Sequence, residues 1–301
     1  MTDGQQGGYA VSPKMRRVRE AQLRMLRKVL EVCKKHDLRV WADGGTLLGT
    51  VRHGGYIPWD DDIDLFMPRD DYDRLVSLAA DEFEPPFFFQ NAYTDRLYPR
   101  GHSQVRLMGT TALPRSGVWG RFDQGIFIDI FVYDALPRDR AVLVNRLIKV
   151  EVLRWFLVAR AYGVRTGSPL RRAALTALCR LFFLFVPFRK AFAMLDGLCR
   201  TKEGERSADY SCLAFRASQL FKICRREEWL AETISMPFEG IEMPVPIGYD
   251  ALLRNQYGDD YMTPVRAPSL HGDIYFDPDR PWREVADEVR SGRLDLAKEE
   301  D

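Results

Sequence analysis

Trp59-Asp60-Asp61-Asp62-Ile63-Asp64-Leu65 sets four carboxylates within five residues, directly ahead of an apolar run. Alternate side chains of a strand share a face. A strand over Asp62 to Met67 would therefore point Asp60, Asp62 and Asp64 one way and Ile63 and Leu65 into a core. Like charges held that close repel, and burial would raise their pKa values. A hard divalent cation resolves both problems, because Mg²⁺ takes carboxylate oxygens and keeps positions open for phosphate and water. A solvated acidic turn accounts for the same residues without any metal. A calcium loop does not fit: Leu65 stands where the EF-hand turn needs glycine, and Asp71 replaces the final Glu.

Upstream, a short strand over Leu38 to Ala42 is broken by Asp43-Gly44-Gly45-Thr46, and a short helix over Leu47 to Arg52 ends at Gly54-Gly55. Backbone N–H groups at such a helix start bind anions, although a glycine pair alone marks no more than a tight turn. Downstream, Ile128-Asp129-Ile130 lies in an Ile/Phe/Val-rich strand predicted over Gly125 to Val132. Asp129 could be a capped or ion-paired core residue. Joined to Asp62 and Asp64, it would complete a three-carboxylate metal site. The combination of apolar-Gly-Gly, Asp-apolar-Asp and apolar-Asp-apolar is the nucleotidyltransferase-type pattern.

The run Gly44 to His53, with Gly55-Tyr56-Ile57-Pro58-Trp59-Asp60-Asp61-Asp62-Ile63-Asp64, strongly resembles the LicD family, which includes the fukutin-related proteins. Arg69-Asp70-Asp71-Tyr72, Phe127 to Phe131 with Asp134, and Tyr257-Gly258-Asp259-Asp260-Tyr261-Met262 with His271 are similar to further family segments. The resemblance implies a phosphotransferase that moves phosphocholine or a pentitol phosphate from a CDP-linked donor onto a glycan or lipid-linked glycan of the cell surface. Carried over, Asp62, Asp64 and Asp129 would hold Mg²⁺ (or Mn²⁺), while Gly44, Gly45, Thr46 and Arg52 would hold phosphate oxygens. His271 would contact substrate. Asp129, Asp60 or His53 would take the acceptor proton. Arg52 has a plainer reading as a surface residue closing its helix, and His102 carries no signal.

Outside these motifs, apolar residues at three- and four-residue spacing predict a helix over Lys14 to His36. Further elements are expected over Arg69 to Ala80 (helix), Phe87 to Gln90 and Ser103 to Met108 (strands), and Arg140 to Tyr162, Leu170 to Phe185 and Arg189 to Lys202 (helices). A strand pair around Pro244 and Pro246 precedes a helix over Tyr249 to Tyr257. The fold class is α+β: a nucleotidyltransferase-like mixed sheet with flanking helices and a helical middle insertion. The expected division is a catalytic core at 14–138, a helical region at 139–235 and a C-terminal segment at 236–290 packed on the core. The dense apolar runs Trp155 to Val158 and Leu181 to Val186 read first as buried core. With many arginines nearby, their second reading is a face against the inner membrane leaflet.

With 44 Lys+Arg against 43 Asp+Glu in 301 residues, the chain lacks the cationic excess of a general nucleic-acid binder. Five scattered cysteines without a CxxC pair exclude a disulfide framework and argue against zinc. Neither a signal peptide nor an apolar run of about eighteen residues is seen, so a cytoplasmic protein, peripheral at most, is expected. Three other readings share parts of the pattern: a nucleotidyltransferase releasing pyrophosphate, a nucleotide-sugar glycosyltransferase, and a non-catalytic scaffold for polymer assembly. The glycosyltransferase needs neither the glycine pair nor Asp129, and a silent scaffold has no need of three crowded carboxylates.

Overall fold

The computed structural model describes residues 10–114, 117–165, 167–215, 220, 223–265 and 274–296. Helix α1 (Pro13–Lys35) opens on Ser12, whose hydroxyl accepts the Met15 N–H, with Pro13 in the first turn. Both features favour a helix start. Its apolar stripe buries Val18, Met25, Leu26, Val29 and Val32 completely, each contributing about 1.5–3 kcal/mol relative to exposure. The stripe packs on β6 (Ile126–Pro137), whose twelve residues are all buried.

Strand β6 is the axis of the sheet. Its first half lies between β2 (Asp64–Pro68), which is parallel to it, and β4 (Ser103–Leu107), which is antiparallel. The two-residue β1 (Trp41–Ala42) extends the sheet beyond β2, and β3 (Phe87–Gln90) extends it beyond β4. The far end of β6 pairs with β7 (Arg206–Ser211), which pairs in turn with β8 (Arg225–Arg226). Rings on the same sheet face pack at a tilt across strands: Trp41 against Phe66 at 5.2 Å and Phe66 against Tyr133 at 4.9 Å. The α+β class is therefore as expected.

Helix α2 (Gly44–His53) joins β1 to the acidic loop and stops at Gly54, which takes the left-handed conformation (φ 65°). Helix α3 (Arg69–Glu82) follows β2 with Asp70 and Asp71 in its first turn, as the helix dipole favours. Helices α4 (Arg140–Tyr162), α5 (Pro169–Phe185) and α6 (Phe188–Cys199) come next. Helices α4 and α6 share a second core of Leu143, Val150, Leu153, Leu157, Phe192 and Leu195. Arg69 ties α6 and β6 to α3 through Asp196 at 2.8 Å and Asp134 at 2.6 Å. The hairpin β9 (Thr233–Phe238) and β10 (Ile241–Pro246) lies against α2 and β1, and α7 (Tyr249–Tyr257) lies against α2. A separate pair joins β5 (Thr111–Pro114) to β11 (Ile274–Asp277), followed by α8 (Trp282–Arg290).

Two expectations are corrected. The acidic strand starts at Asp64 rather than Asp62, because the preceding backbone is engaged elsewhere. Arg19 of α1 donates to the carbonyls of Pro58 and Asp60 at 2.9 and 2.8 Å, and Gln22 donates to that of Asp61 at 2.7 Å. Asp60 and Asp62 therefore do not share a strand face with Asp64. The apolar middle is also not buried on all sides. Only Cys179 of α5 is buried, while Leu184 and Phe185 are 76% and 77% exposed. Helix α5 packs on α4 through Phe156, which stacks on Phe182 at 4.2 Å, and on α6 through Phe188, which stacks on Phe183 at 6.1 Å, and leaves Leu170, Leu178, Leu181, Leu184 and Phe185 exposed.

Candidate active site

Parallel pairing of β2 with β6 sets Asp64 directly beside Asp129, and antiparallel pairing of β4 sets Gln104 beside Asp129 on the other side. Side chains at matched positions of neighbouring strands share a face. Asp64, Asp129 and Gln104 therefore line up across three strands, while Leu65, Ile128 and Val105 point into the core. Asp62 reaches the same place from the loop. Carboxylate oxygens of Asp62, Asp64 and Asp129 lie within 4.8 Å of one another, and Asp62 and Asp129 are buried.

The supports of this cluster are not local in sequence. Gln104 Nε2 donates to Asp129 Oδ1 at 2.7 Å, and buried Arg106 donates to Gln104 and to the Gly125 carbonyl. His102 Nε2 stands 3.0 Å from the same Asp129 oxygen, with its ring 4.6 Å from that of Phe131. The Thr46 hydroxyl accepts the Asp64 N–H at 2.8 Å. The predicted substrate ligand Thr46 thus positions the carboxylate-bearing strand. Asp129 N–H bonds to Ile63 O at 2.9 Å, and Asp43 N–H bonds to Asp64 O at the same distance.

The glycines begin α2 rather than precede it. A Cβ on Gly44 would stand 3.3 Å from Asp64 Oδ2, and one on Gly45 would stand 2.5 Å from Asp60 Oδ2. The two glycines therefore let carboxylates close on the positive end of the helix. Asp43, the residue before α2, makes no side-chain cap there. Its carboxylate instead accepts from Arg225 at 2.7 Å and from the Tyr133 hydroxyl at 3.0 Å. Arg225 is fully buried and also reaches Gln256 of α7 at 2.8 Å. Burial holds the Tyr133 phenol far above its ordinary pKa, so it remains a donor.

Asp60 is part-exposed beside Gly45, and it groups with Asp61 and Asp62 rather than with Asp64 and Asp129. Arg52 and His53 lie on the last turn of α2, about 12 Å along the axis from Gly44. Arg52 donates to the carbonyls of Tyr261 at 2.9 Å and Thr263 at 3.4 Å. It is therefore tied to the segment after α7 rather than to the carboxylates. Burial and neighbouring Arg52 push the His53 imidazole below its ordinary pKa. His271 lies outside the described residues. Sequence reasoning missed Gln104, Arg106, His102 and Arg225. The alternation of Gln104 and Arg106 with Val105 and Leu107 marked two polar groups on one strand face; Arg225 carried no local mark.

Residues 37–134, which contain the glycines and all the clustered carboxylates, match the family model described as LicD/FKTN/FKRP, nucleotidyltransferase domain. They form a LicD-family domain. Beyond this domain, similarity extends to the lipopolysaccharide cholinephosphotransferase LicD of Haemophilus influenzae. That protein is 28% identical over 234 residues, which cover 76% of this chain and 84% of the relative. The ribitol 5-phosphate transferase FKRP of Homo sapiens is 41% identical over 56 residues, 19% of this chain and 11% of that protein. A Rickettsia prowazekii protein of unknown role is 36% identical over 70 residues, 23% of this chain and 24% of its own. Three oxygen-donor carboxylates, two of them buried, with Asp64 and Asp129 on paired strands and the loop before Asp62 held by α1, suit the LicD domain to a hard divalent cation.

Proposed function

We propose that the protein transfers a phospho-alcohol group, phosphocholine or a pentitol phosphate, from a CDP-linked donor to a hydroxyl of a cell-surface glycan or lipid-linked glycan. The observation that carries this reading is the convergence of Asp62, Asp64 and Asp129 within 4.8 Å, at the start of the glycine-led helix α2. The activities for which the Haemophilus influenzae and FKRP relatives are named, cholinephosphate and ribitol 5-phosphate transfer, supply the substrate class.

Mg²⁺ or Mn²⁺ held by Asp62, Asp64 and Asp129 would neutralise the donor's diphosphate charge. Amides of the first turn of α2 direct phosphate oxygens. Gln104 and His102 hold Asp129 in place, and Thr46 holds Asp64. Asp60 is part-exposed beside the first turn of α2, and we assign it the acceptor proton; Asp129 is already engaged by Gln104 and His102, and His53 is at the wrong end of α2. The acceptor oxygen forms a bond to the phosphorus that carries the alcohol. The phosphorus–oxygen bond to the nucleotide breaks, CMP leaves, and the hydroxyl proton passes to Asp60.

The test is a thermal-shift series with CDP-choline and CDP-ribitol, with and without Mg²⁺, followed by identification of the released nucleotide. Stabilisation that requires both conjugate and metal is expected by linkage, with CMP as product. Release of pyrophosphate from CTP, or of phosphocholine from CDP-choline with the nucleotide left on the acceptor, would instead establish nucleotidyl transfer, the activity for which the matched domain is named. No response to any conjugate would remove the proposal.

A further inference from the structure

The strongest feature outside the carboxylate site is helix α5. Residues 152–195 contain eight basic residues and no acidic one, although the whole chain is balanced at 44 against 43. At 3.6 residues per turn, Leu170, Leu178, Leu181, Leu184 and Phe185 fall on one side of α5, opposite buried Cys179. All five are exposed, Leu170 by 82%. The same geometry sets Arg171 along one border of this stripe and Arg180 along the other. Beside it, a groove of about 620 Å³ is walled by Val164, Leu181 and Leu184 together with Arg172 and Arg180.

We propose that this face of α5 seats on an anionic bilayer surface. Long apolar side chains bordered by arginines suit the boundary between acyl chains and headgroups, with the guanidinium groups reaching lipid phosphates. At about 25 Å, α5 is shorter than a hydrocarbon core of about 30 Å, and no helix among the described residues is long and apolar enough to cross a membrane. The helix therefore lies on the surface. A second copy of the chain is a poor occupant, because a two-fold contact would press the same basic residues against each other.

The experiment is flotation of the full chain with phosphatidylcholine vesicles, with and without phosphatidylglycerol. It needs no substrate or metal, so its outcome is independent of the transfer reaction. The chain should float only with the anionic vesicles, and less as salt rises. Arg171→Gln/Arg180→Gln should weaken partitioning by roughly tenfold or more. Leu184→Asp/Phe185→Asp should abolish it without lowering the melting temperature, since both side chains are already in solvent. Failure of the unaltered chain to float, or flotation of both variants equal to that of the unaltered chain, overturns the proposal. So does a dimer in sedimentation equilibrium that Leu184→Asp/Phe185→Asp dissociates while flotation is absent. Capture of an acidic protein through the same residues, with no vesicle binding, also overturns it.

Discussion

Asp64 and Asp129 are register partners on adjacent parallel strands. Two carboxylates held side by side by backbone hydrogen bonds cannot move apart to relieve repulsion, and Asp62 closes on the same point. The fold therefore holds a concentration of negative charge that a divalent cation would relieve.

Asp64→Asn is expected to raise the melting temperature in metal-free buffer, because one of three crowded charges is removed. The same variant should lose the Mg²⁺-induced rise of the unaltered protein. Transfer should fall by a hundredfold or more, about 3 kcal/mol of barrier. Melts with and without MgCl₂, beside a product assay, check all three outcomes. A variant with an undiminished metal response would show that Asp64 is not a ligand.

Two glycines of α2 should separate stability from activity. A Cβ on Gly49 would stand 2.4 Å from the Gly55 carbonyl oxygen, a backbone atom that cannot swing away. Gly49→Ala is expected to destabilise by about 1–3 kcal/mol, read from urea midpoints. A Cβ on Gly45 meets only the carboxylate end of Asp60, which can rotate. Gly45→Ala should keep the urea midpoint close to that of the unaltered chain and lower the transfer rate.

Removing Arg225 leaves the buried Asp43 carboxylate without its guanidinium partner. Arg225→Met should therefore destabilise by about 3–5 kcal/mol. Asp43→Asn added to it should recover part of that loss, since the uncompensated charge is gone. A double-mutant cycle by chemical denaturation measures the coupling.

Hydrogen bonds from Lys35 and His36 hold the Glu82 carboxyl at about 2, against an ordinary 4.5. A depressed carboxylate pKa contributes stability above the unfolded value, and that contribution is lost as pH falls through the folded one. Glu82→Gln should lower the melting temperature at neutral pH, and the gap to the unaltered protein should narrow between pH values of about 4.5 and 2. A gap independent of pH would show that packing rather than charge is responsible.

The pattern around Gly44, Asp62 and Asp129 was legible because each motif is short and local. Helix α4 and helix α7 were legible to the residue, since apolar spacing and the glycines at 163 and 258 mark their ends. Helix α5 was legible as a helix but not by its exposure, because an apolar run reads the same whether a neighbour covers it or solvent does. The backbone partners of Arg52 and Thr46 were not legible for a related reason: a residue's type does not reveal which backbone group will reach it.

Local chemistry in the sequence determined which carboxylates were available and where α4 and α7 start and stop. Tertiary structure alone decided that the strand begins at Asp64, that Gln104 and His102 grip Asp129, and that Arg225 closes on Asp43. Those contacts join residues far apart in the chain. Their energies depend on strand register and burial, which no short stretch of sequence specifies.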